Sequence, residues 1–357
     1  MRNLILAASA AVLFAAVGAA AAEDAWKMPV KIRTPAFDKA GTWTDKDYVP
    51  IDKSKVTKKW DICVLFPHTK DPYYLSMTYG AVTEAQRLGL SMSVHAAGGY
   101  TELPTQIAQM EDCVTRGTDA MMMVAISATG LNRTIAAAKA KGIPLAVTGG
   151  EVDSPDVAAR ALGNWFDSGR ISAEYLNKLH PAGSQKVKVL WLAGPEGPNW
   201  SVDSADGFVK TVEGNDAIEV VKVIWGEPGK AAQIALVEDA LQAYPDVNYI
   251  AGIAPGIEGA IQVLKEKGRG DIKLVGSYMT PELEAALRQG SILGVVTDFT
   301  SGQAAIAIDQ LVRILEKQDV DLDVDTGFAM LDAGNLSDYD RALSLAPEGW
   351  SPVFNVD

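Results

Sequence analysis

The sequence predicts an α/β protein built from two doubly wound parallel-sheet lobes that are joined by several chain crossings around a ligand cleft. The chain has 357 residues, of which 48% are apolar, so it can bury more apolar surface than a single core usually holds. Short apolar runs rich in β-branched residues alternate with amphipathic helical patterns along most of its length. This alternation requires parallel sheets with crossover helices, because parallel neighbours cannot be joined by a tight turn.

The first series of elements begins at Trp60. Strands are predicted at Ile62–Phe66, Ser91–His95, Ala120–Ala125 and Pro144–Thr148, and helices at Tyr73–Leu88, Gln106–Thr115 and Leu131–Ala140. Gly89 and Gly117 stand where a helix must end before the next strand, which is typical of helix C-termini. We therefore expect residues 60–165 to form the body of the first lobe.

A second series of the same kind follows. Helices are predicted at Ser168–Leu179, Ser201–Val212, Ala231–Ala243 and Ile257–Lys267, and strands at Lys186–Leu192, Glu219–Trp225, Val247–Ile253 and Lys273–Gly276. The remaining elements, Pro281–Gln289, Leu293–Asp298 and Gly302–Glu316, are too few for a third lobe, so we expect them to complete the first. The predicted first lobe is then 60–165 plus 279–320, and the second lobe with its tail is 166–278 plus 321–357.

Residues 1–22 have the pattern of a secretory signal peptide. Arg2 precedes an apolar stretch from Leu4 to about Ala16, and the run Ala19–Ala22 supplies a small-residue cleavage site. We therefore expect an exported protein located in the periplasm. Residues 23–59 show little periodicity and carry nine Lys or Arg, so we expect an irregular arm laid on the first lobe.

Charge and composition limit the possible partners. The net charge is −13, and loss of Arg2 with the leader makes it −14, so nucleic acid and anionic lipid are disfavoured. After the leader, no run reaches the roughly 18 apolar residues that a membrane helix requires, so no direct membrane insertion is expected. The three histidines are far apart and predict no metal site, and no sequence motif indicates a cofactor.

The two cysteines, Cys63 and Cys113, leave two alternatives open. An oxidising compartment allows them to form a disulfide between a strand and a helix. Spacing alone does not establish the geometry, so two separate buried thiols are the other interpretation.

The loop after the first strand holds the clearest candidate ligand-binding residues. Asp71 is placed to cap the following helix and Pro72 to occupy its first position, and capping alone explains both. Capping does not explain Tyr73 and Tyr74, because adjacent helical positions point about 100° apart and cannot both serve one core stripe. Since ligands gather outside the carboxyl ends of parallel strands, we expect these tyrosines to face the cleft.

Other rings recur at equivalent strand ends, namely Tyr100, Trp165 and Tyr278. Each ring taken singly is more consistent with packing than with ligand contact. Together, four or five rings that converge on one cleft with an aspartate, Asp71 or Asp298, resemble an aromatic cage for a small alkylated cation.

An enzymatic function has little support. No nucleophile elbow, metal-protease motif or other catalytic signature occurs in the chain. An enzyme on these lobes would need an acid–base pair in the cleft, and Asp71 with Asp298 is the one candidate pair. We therefore expect a binding protein and not an enzyme.

Three stretches carry a family resemblance: WDICVLFPHTKDPYYLSMTYG, AAGGYTELPTQIAQMEDCVTRGTDAMMM and the closing LSLAPEGWSPVF. They resemble the type 1 periplasmic binding proteins, in particular the members that report trimethylamine N-oxide to a membrane sensor histidine kinase of the TorS type. The resemblance implies that ligand and that partner, and it implies binding roles for Asp71, Tyr73, Tyr74, Tyr100, Trp165 and Tyr278. The chain departs from the pattern at Tyr74, where family members often have tryptophan, and at Trp200, which is not part of it.

The alternative function is a sugar- or autoinducer-binding protein that feeds a transporter on the same fold. Such sugar binders typically place an Asn-Asp pair after the strand predicted at Val247–Ile253, and an arginine after Pro144–Thr148. This chain has Ala254-Pro255 and Gly149-Gly150-Glu151 at those places. The paired recognition of sugar hydroxyls is therefore missing, which favours a methylammonium ligand.

Overall fold

The computed structural model describes residues 26–357, so the predicted signal peptide, residues 1–22, lies outside the described residues. Within that range the chain forms fifteen strands and nine α-helices. In chain order they are β1 Met28–Thr34, β2 Thr42–Tyr48, β3 Asp61–Phe66, α1 Pro72–Leu88, β4 Ser91–Ala96, α2 Leu103–Arg116, β5 Ala120–Met123, α3 Asn132–Ala140, β6 Leu145–Thr148, β7 Ala159–Leu162, α4 Trp165–Leu179, β8 Val187–Gly194, α5 Asn199–Val212, β9 Ile218–Trp225, α6 Lys230–Ala243, β10 Tyr249–Gly252, α7 Ala254–Lys267, β11 Lys273–Gly276, α8 Pro281–Arg288, β12 Gly294–Thr297, α9 Thr300–Leu315, β13 Asp323–Asp325, β14 Ala329–Asp332 and β15 Asn355–Val356.

Two separate sheets confirm the two-lobe α/β fold. The first has nine strands in the order β15-β4-β3-β5-β6-β7-β13-β1-β2, and the second has six in the order β14-β12-β11-β10-β8-β9. The central strands of both sheets run parallel, as between β3 and β5 or between β8 and β10. Strands such as β5 are buried at every position because helices cover both faces of the sheet. The carboxyl ends of the parallel strands in each lobe therefore face the cleft between the lobes.

The chain passes between the sheets four times within the described residues. The passes lie between β7 and β8, between β12 and β13, between β13 and β14, and between β14 and β15. Several crossings of this kind form the predicted hinge, and they hold the two lobes at a shared cleft.

The predicted lobe boundaries were wrong in the last third of the chain. Residues 279–297 belong to the second lobe, because β12 pairs with β11 there. Strands β13 and β15 return to the first sheet, and β14 is the strand of 321–357 that remains in the second sheet. The short strands β13 and β15 have no local hydrophobic pattern, so their position depends on pairing with distant strands.

The prediction of an irregular arm over residues 23–59 was also wrong in part. Strand β1 pairs with β13 and with β2, and it turns Met28, Val30 and Ile32 into the core while its other side chains face outward. This alternation is a strand signal that the basic composition of the segment obscured. Residues 49–59 are irregular apart from one short 3-10 turn, as expected.

The two cysteines are joined in the structure. A disulfide links Cys63 in β3 to Cys113 in α2, with a Cα–Cα distance of 6.2 Å. It connects a central strand to the helix that covers it, and it closes a segment with a sequence separation of 50.

No helix among residues 26–357 has both the length and the apolar character needed to cross a bilayer.

Candidate functional site

A cavity lies between the two lobes, at the carboxyl ends of their strands, and its space of about 300 Å³ includes volume that is open to solvent. The enclosed part is smaller than this, so the cavity suits only a small ligand. Ten residues line it, most of them aromatic: His68, Asp71, Tyr73, Tyr74, Tyr100, Gly149, Trp165, Trp200, Pro228 and Tyr278.

The first lobe contributes its rings from the start of α1 and from the loop after β4. The Asp71 side chain caps α1 by accepting a hydrogen bond from the Tyr73 N–H, and Pro72 occupies the first turn, as the sequence predicted. This cap places Tyr73 and Tyr74 at the cleft, with their ring centroids 5.5 Å apart. The Tyr74 hydroxyl lies 2.8 Å from the hydroxyl of Tyr100, and that hydrogen bond joins the two loops.

The second lobe contributes rings from three of its elements. Trp165 begins α4 directly after the first crossing, Trp200 lies in the first turn of α5, and Tyr278 follows β11. The Tyr278 ring lies 5.5 Å from that of Tyr73, and Trp200 lies 5.8 Å from Tyr100. Aromatic side chains of the two lobes therefore meet across the cleft.

Two polar contacts also join the lobes at the cavity. The Trp165 indole N–H donates to the carbonyl oxygen of Gly149 at 2.8 Å, and the Tyr278 hydroxyl donates to the Asp71 carboxylate. Both contacts link second-lobe side chains to the first lobe. A change in the angle between the lobes would break them.

Asp71 is the carboxylate of the cavity. Its residue is 4% exposed, and burial raises its pKa to about 6, although the hydrogen bonds from Tyr278 and from the Tyr73 N–H act in the opposite direction. The nearby charge of Asp298 raises the pKa further. The carboxylate is therefore ionised at neutral pH, and burial of this ionised form costs folding free energy.

No Lys or Arg occurs among the ten lining residues. His68 is the one other titratable group of the lining that could be cationic, and burial followed by the charge of Lys70 lowers its pKa to about 4. It is therefore neutral at neutral pH. The Asp71 carboxylate is left without a cationic partner in an aromatic cavity, which favours a cationic ligand.

Six of the seven predicted site residues line this one cavity: Asp71, Tyr73, Tyr74, Tyr100, Trp165 and Tyr278. Asp298 does not line it. The Asp298 side chain is fully buried beside Tyr73, accepts a hydrogen bond from Thr300 at 2.8 Å, and contributes to the raised pKa of the Tyr73 phenol. The ligand-binding role of all seven stays a prediction.

Sequence reasoning did not place four of the lining residues in the site: His68, Gly149, Trp200 and Pro228. A usable signal existed for all four, because each lies in the loop, or in the first helical turn, that follows a parallel strand. In the sequence, Trp200 stands out only as a departure from the family pattern. Its position in the cavity shows that this departure changes the wall of the site.

Three polar side-chain atoms of the lining are buried without a hydrogen-bond partner among residues 26–357. They are His68 Nε2, the Tyr73 hydroxyl, which faces the buried Asp298 carboxylate, and Trp200 Nε1, which faces the Tyr100 hydroxyl; neither facing pair reaches hydrogen-bond geometry. Buried polar groups normally find partners, and such atoms at a cavity wall are available to a ligand. The cavity therefore offers one unpaired negative charge, an aromatic wall and a few free hydrogen-bonding groups.

Known proteins resemble this chain over most of its length. The periplasmic protein TorT of Escherichia coli K12 is 27% identical over 330 residues, covering 90% of this chain and 93% of its own. The ribose import binding protein RbsB of Salmonella typhimurium is 21% identical over 263 residues, covering 72% of this chain and 86% of its own.

Solved structures show the same architecture. An ABC transporter solute-binding protein from Bradyrhizobium sp. BTAi1, solved with bound bis-tris, is 41% identical with a TM-score of 0.79, covering 92% of this chain and 98% of that one. The complex of the TorS sensor domain with TorT in the presence of trimethylamine N-oxide contains a chain that is 26% identical with a TM-score of 0.77, covering 83% of this chain and all of that one.

A family model described as a periplasmic binding protein domain matches residues 62–319, which is most of the chain. The matched range contains every residue of the cavity lining. Members of this family bind ligands and are not enzymes, in agreement with the absence of a catalytic signature. The chain belongs to the periplasmic binding protein family.

Proposed function

We propose that this protein is a periplasmic receptor for trimethylamine N-oxide or a closely related methylated amine, and that its ligand state is sensed by a membrane histidine kinase of the TorS type. The observation that carries the proposal is the Asp71 carboxylate, which is buried among aromatic rings with no cationic side chain in the cavity lining.

The chemistry of the cavity suits a methylated ammonium group. Aromatic faces attract such a cation with about 0.5–2 kcal/mol for each well-placed ring. The cation also lowers the cost of the buried Asp71 charge, because opposite charges within a few ångströms favour the ionised form. The Trp200 N–H is a donor that an N-oxide oxygen could accept from.

Two similarities support an amine ligand and a kinase partner. TorT has been solved with the TorS sensor domain in the presence of trimethylamine N-oxide. The protein from Bradyrhizobium holds bis-tris, which is a tertiary amine, and it is 41% identical to this chain.

A sugar ligand is the second candidate, because RbsB also resembles this chain. Sugar rings stack on aromatic side chains, but sugar binding also needs paired polar groups for the hydroxyls. Here α7 starts at Ala254-Pro255, and the loop after β6 contributes Gly149 to the lining. The paired amide and carboxylate groups that typically bind sugar hydroxyls are therefore missing from these two places.

The cavity also suits a receptor whose lobes close on the ligand. Its walls come from both lobes, so a ligand that contacts all of them binds the closed state better than an open one. A ligand shifts such an equilibrium only by its differential affinity for the two states. We propose that the kinase distinguishes these two states.

Calorimetric titration of protein purified from the periplasm of an expression host tests the proposal. The ligands are trimethylamine N-oxide, tetramethylammonium and ribose, and a second arm measures binding of a TorS-type sensor domain with and without ligand. We expect binding of the N-oxide and a ligand-dependent change in sensor affinity. Binding of ribose without binding of either methylated compound would refute the receptor proposal.

A further inference from the structure

Trp200 occupies a distinct position in the cavity wall. It is the second residue of α5 in the second lobe, it is 6% exposed, and its ring lies 5.8 Å from the rings of both Tyr100 and Trp165. Asp71 lies in the opposite wall, at the start of α1 in the first lobe. The two residues therefore approach the cavity from different lobes.

The Trp200 indole N–H lies close enough to the Tyr100 hydroxyl to oppose the rise that burial causes in the pKa of that phenol. The two groups do not reach hydrogen-bond geometry, so among residues 26–357 the N–H has no hydrogen-bond partner and remains available to a ligand. The other donors of the second-lobe wall are occupied, since Trp165 donates to the Gly149 carbonyl oxygen and Tyr278 donates to Asp71. A buried donor without a partner is costly unless a ligand accepts its hydrogen bond.

The start of α5, which carries Trp200, is a second feature of this wall. Its N-cap residue is Pro198, whose side chain makes no capping hydrogen bond, and the Ser201 hydroxyl donates its one hydrogen to the carbonyl oxygen of Pro195 or of Pro198 instead of capping an N–H. The N-terminal end of a helix attracts negative charge. The free indole donor and the uncapped helix end both favour an anionic acceptor on the second-lobe side.

We propose that Trp200 makes the site selective for dipolar ligands, by donating its N–H to an anionic oxygen while the ligand's cationic nitrogen lies near Asp71. This inference rests on the proposed function and names the ligand class of the same site. Ligands with both charges on adjacent atoms, such as N-oxides, bridge the two lobes. Cations of the same size without an acceptor oxygen lack the contact with the second lobe.

The test compares trimethylamine N-oxide with tetramethylammonium, in which a methyl group replaces the oxygen. The Trp200→Phe variant keeps an aromatic ring and removes the N–H. We expect its affinity for the N-oxide to fall about tenfold, because hydrogen bonds to charged acceptors are among the stronger ones. Its affinity for tetramethylammonium should stay unchanged.

Trp191→Phe is the matched control. The Trp191 N–H is also buried without a partner among the described residues, but its ring stacks on Phe208 at 4.2 Å in the core of the second lobe. This variant should leave the ratio of the two affinities unchanged. Trp200→His, which restores a ring N–H, should recover part of the preference and guards against a folding defect in Trp200→Phe.

The outcomes separate the two proposals. If both affinities fall equally in Trp200→Phe, or neither falls, the selectivity role of Trp200 is wrong while the receptor proposal stands. If the parent protein binds neither methylated compound, the receptor proposal fails and this inference fails with it.

Discussion

Replacing Asp71 with asparagine separates the stability of the empty protein from its ability to bind a cation. Burial raises the pKa of Asp71 from 3.8 to about 6. An acid with a raised folded-state pKa stabilises the fold while it is protonated, below pH 3.8, and that contribution is lost as the pH rises through about 6. At pH 7.5 the ionised group therefore costs about 3 kcal/mol, at about 1.4 kcal/mol for each pKa unit.

The Asp71→Asn variant carries no charge at any pH, so most of this cost should disappear. Its side-chain oxygen can still cap α1. Its amide nitrogen can face the Tyr278 hydroxyl, so the contact between residue 71 and Tyr278 is weakened but not abolished. We expect the variant to gain about 1–3 kcal/mol of unfolding free energy at neutral pH. We also expect it to lose most of its affinity for trimethylamine N-oxide, since the neutral amide no longer attracts the nitrogen.

Thermal melts at pH 7.5 with and without trimethylamine N-oxide measure both effects. The parent should melt higher with ligand, and Asp71→Asn should melt a few degrees higher than the empty parent with no further shift from ligand. Glu258→Gln is the matched control, because burial raises the pKa of Glu258 to about 7 but the residue does not line the cavity. An Asp71→Asn protein that is less stable than the parent and still binds ligand would refute this reasoning.

Three further predictions concern the same molecule. Affinity for tetramethylammonium, which does not titrate, should fall as the pH drops from about 7.5 to about 5, because Asp71 becomes protonated. In the Asp71→Asn variant, calorimetry should show an affinity that changes much less with pH. Trp165→Ala should weaken trimethylamine N-oxide binding about tenfold or more, since one ring and one link to Gly149 are lost, and an unchanged dissociation constant in titration would contradict the cage. The oxidised native protein should show no thiol that reacts with an alkylating reagent in mass measurement, and two alkylated thiols would exclude the bridge. The double change Cys63→Ser and Cys113→Ser should lower the unfolding free energy by about 2–4 kcal/mol in denaturant titration.

Local patterns in the sequence were sufficient for much of the fold. The apolar runs of β3, β5 and β8 predicted buried parallel strands, and Asp71 with Pro72 predicted the start of α1. These predictions succeed because burial of a strand and capping of a helix depend on residues that are near each other in the chain. The alternation in β1 was equally available and was missed.

Long-range pairing decided the remaining strands. The tripeptide of β13 and the dipeptide of β15 have no hydrophobic period, and both join the first sheet through partners that are distant in the chain. The pairing of β13 and β15 depends on the positions of strands that are far away in the sequence. A short window of sequence therefore does not predict it.

The candidate site was likewise predicted in part from the sequence and determined in part by the tertiary structure. The sequence placed Asp71, Tyr73 and Tyr278 at strand ends, and strand direction alone made those ends face one cleft. The angle between the lobes brought Trp200 into the cavity wall, whereas packing beside Tyr73 and Thr300 keeps Asp298 out of it. That angle depends on contacts summed over both lobes and four crossings, and no single segment of the sequence contains this information.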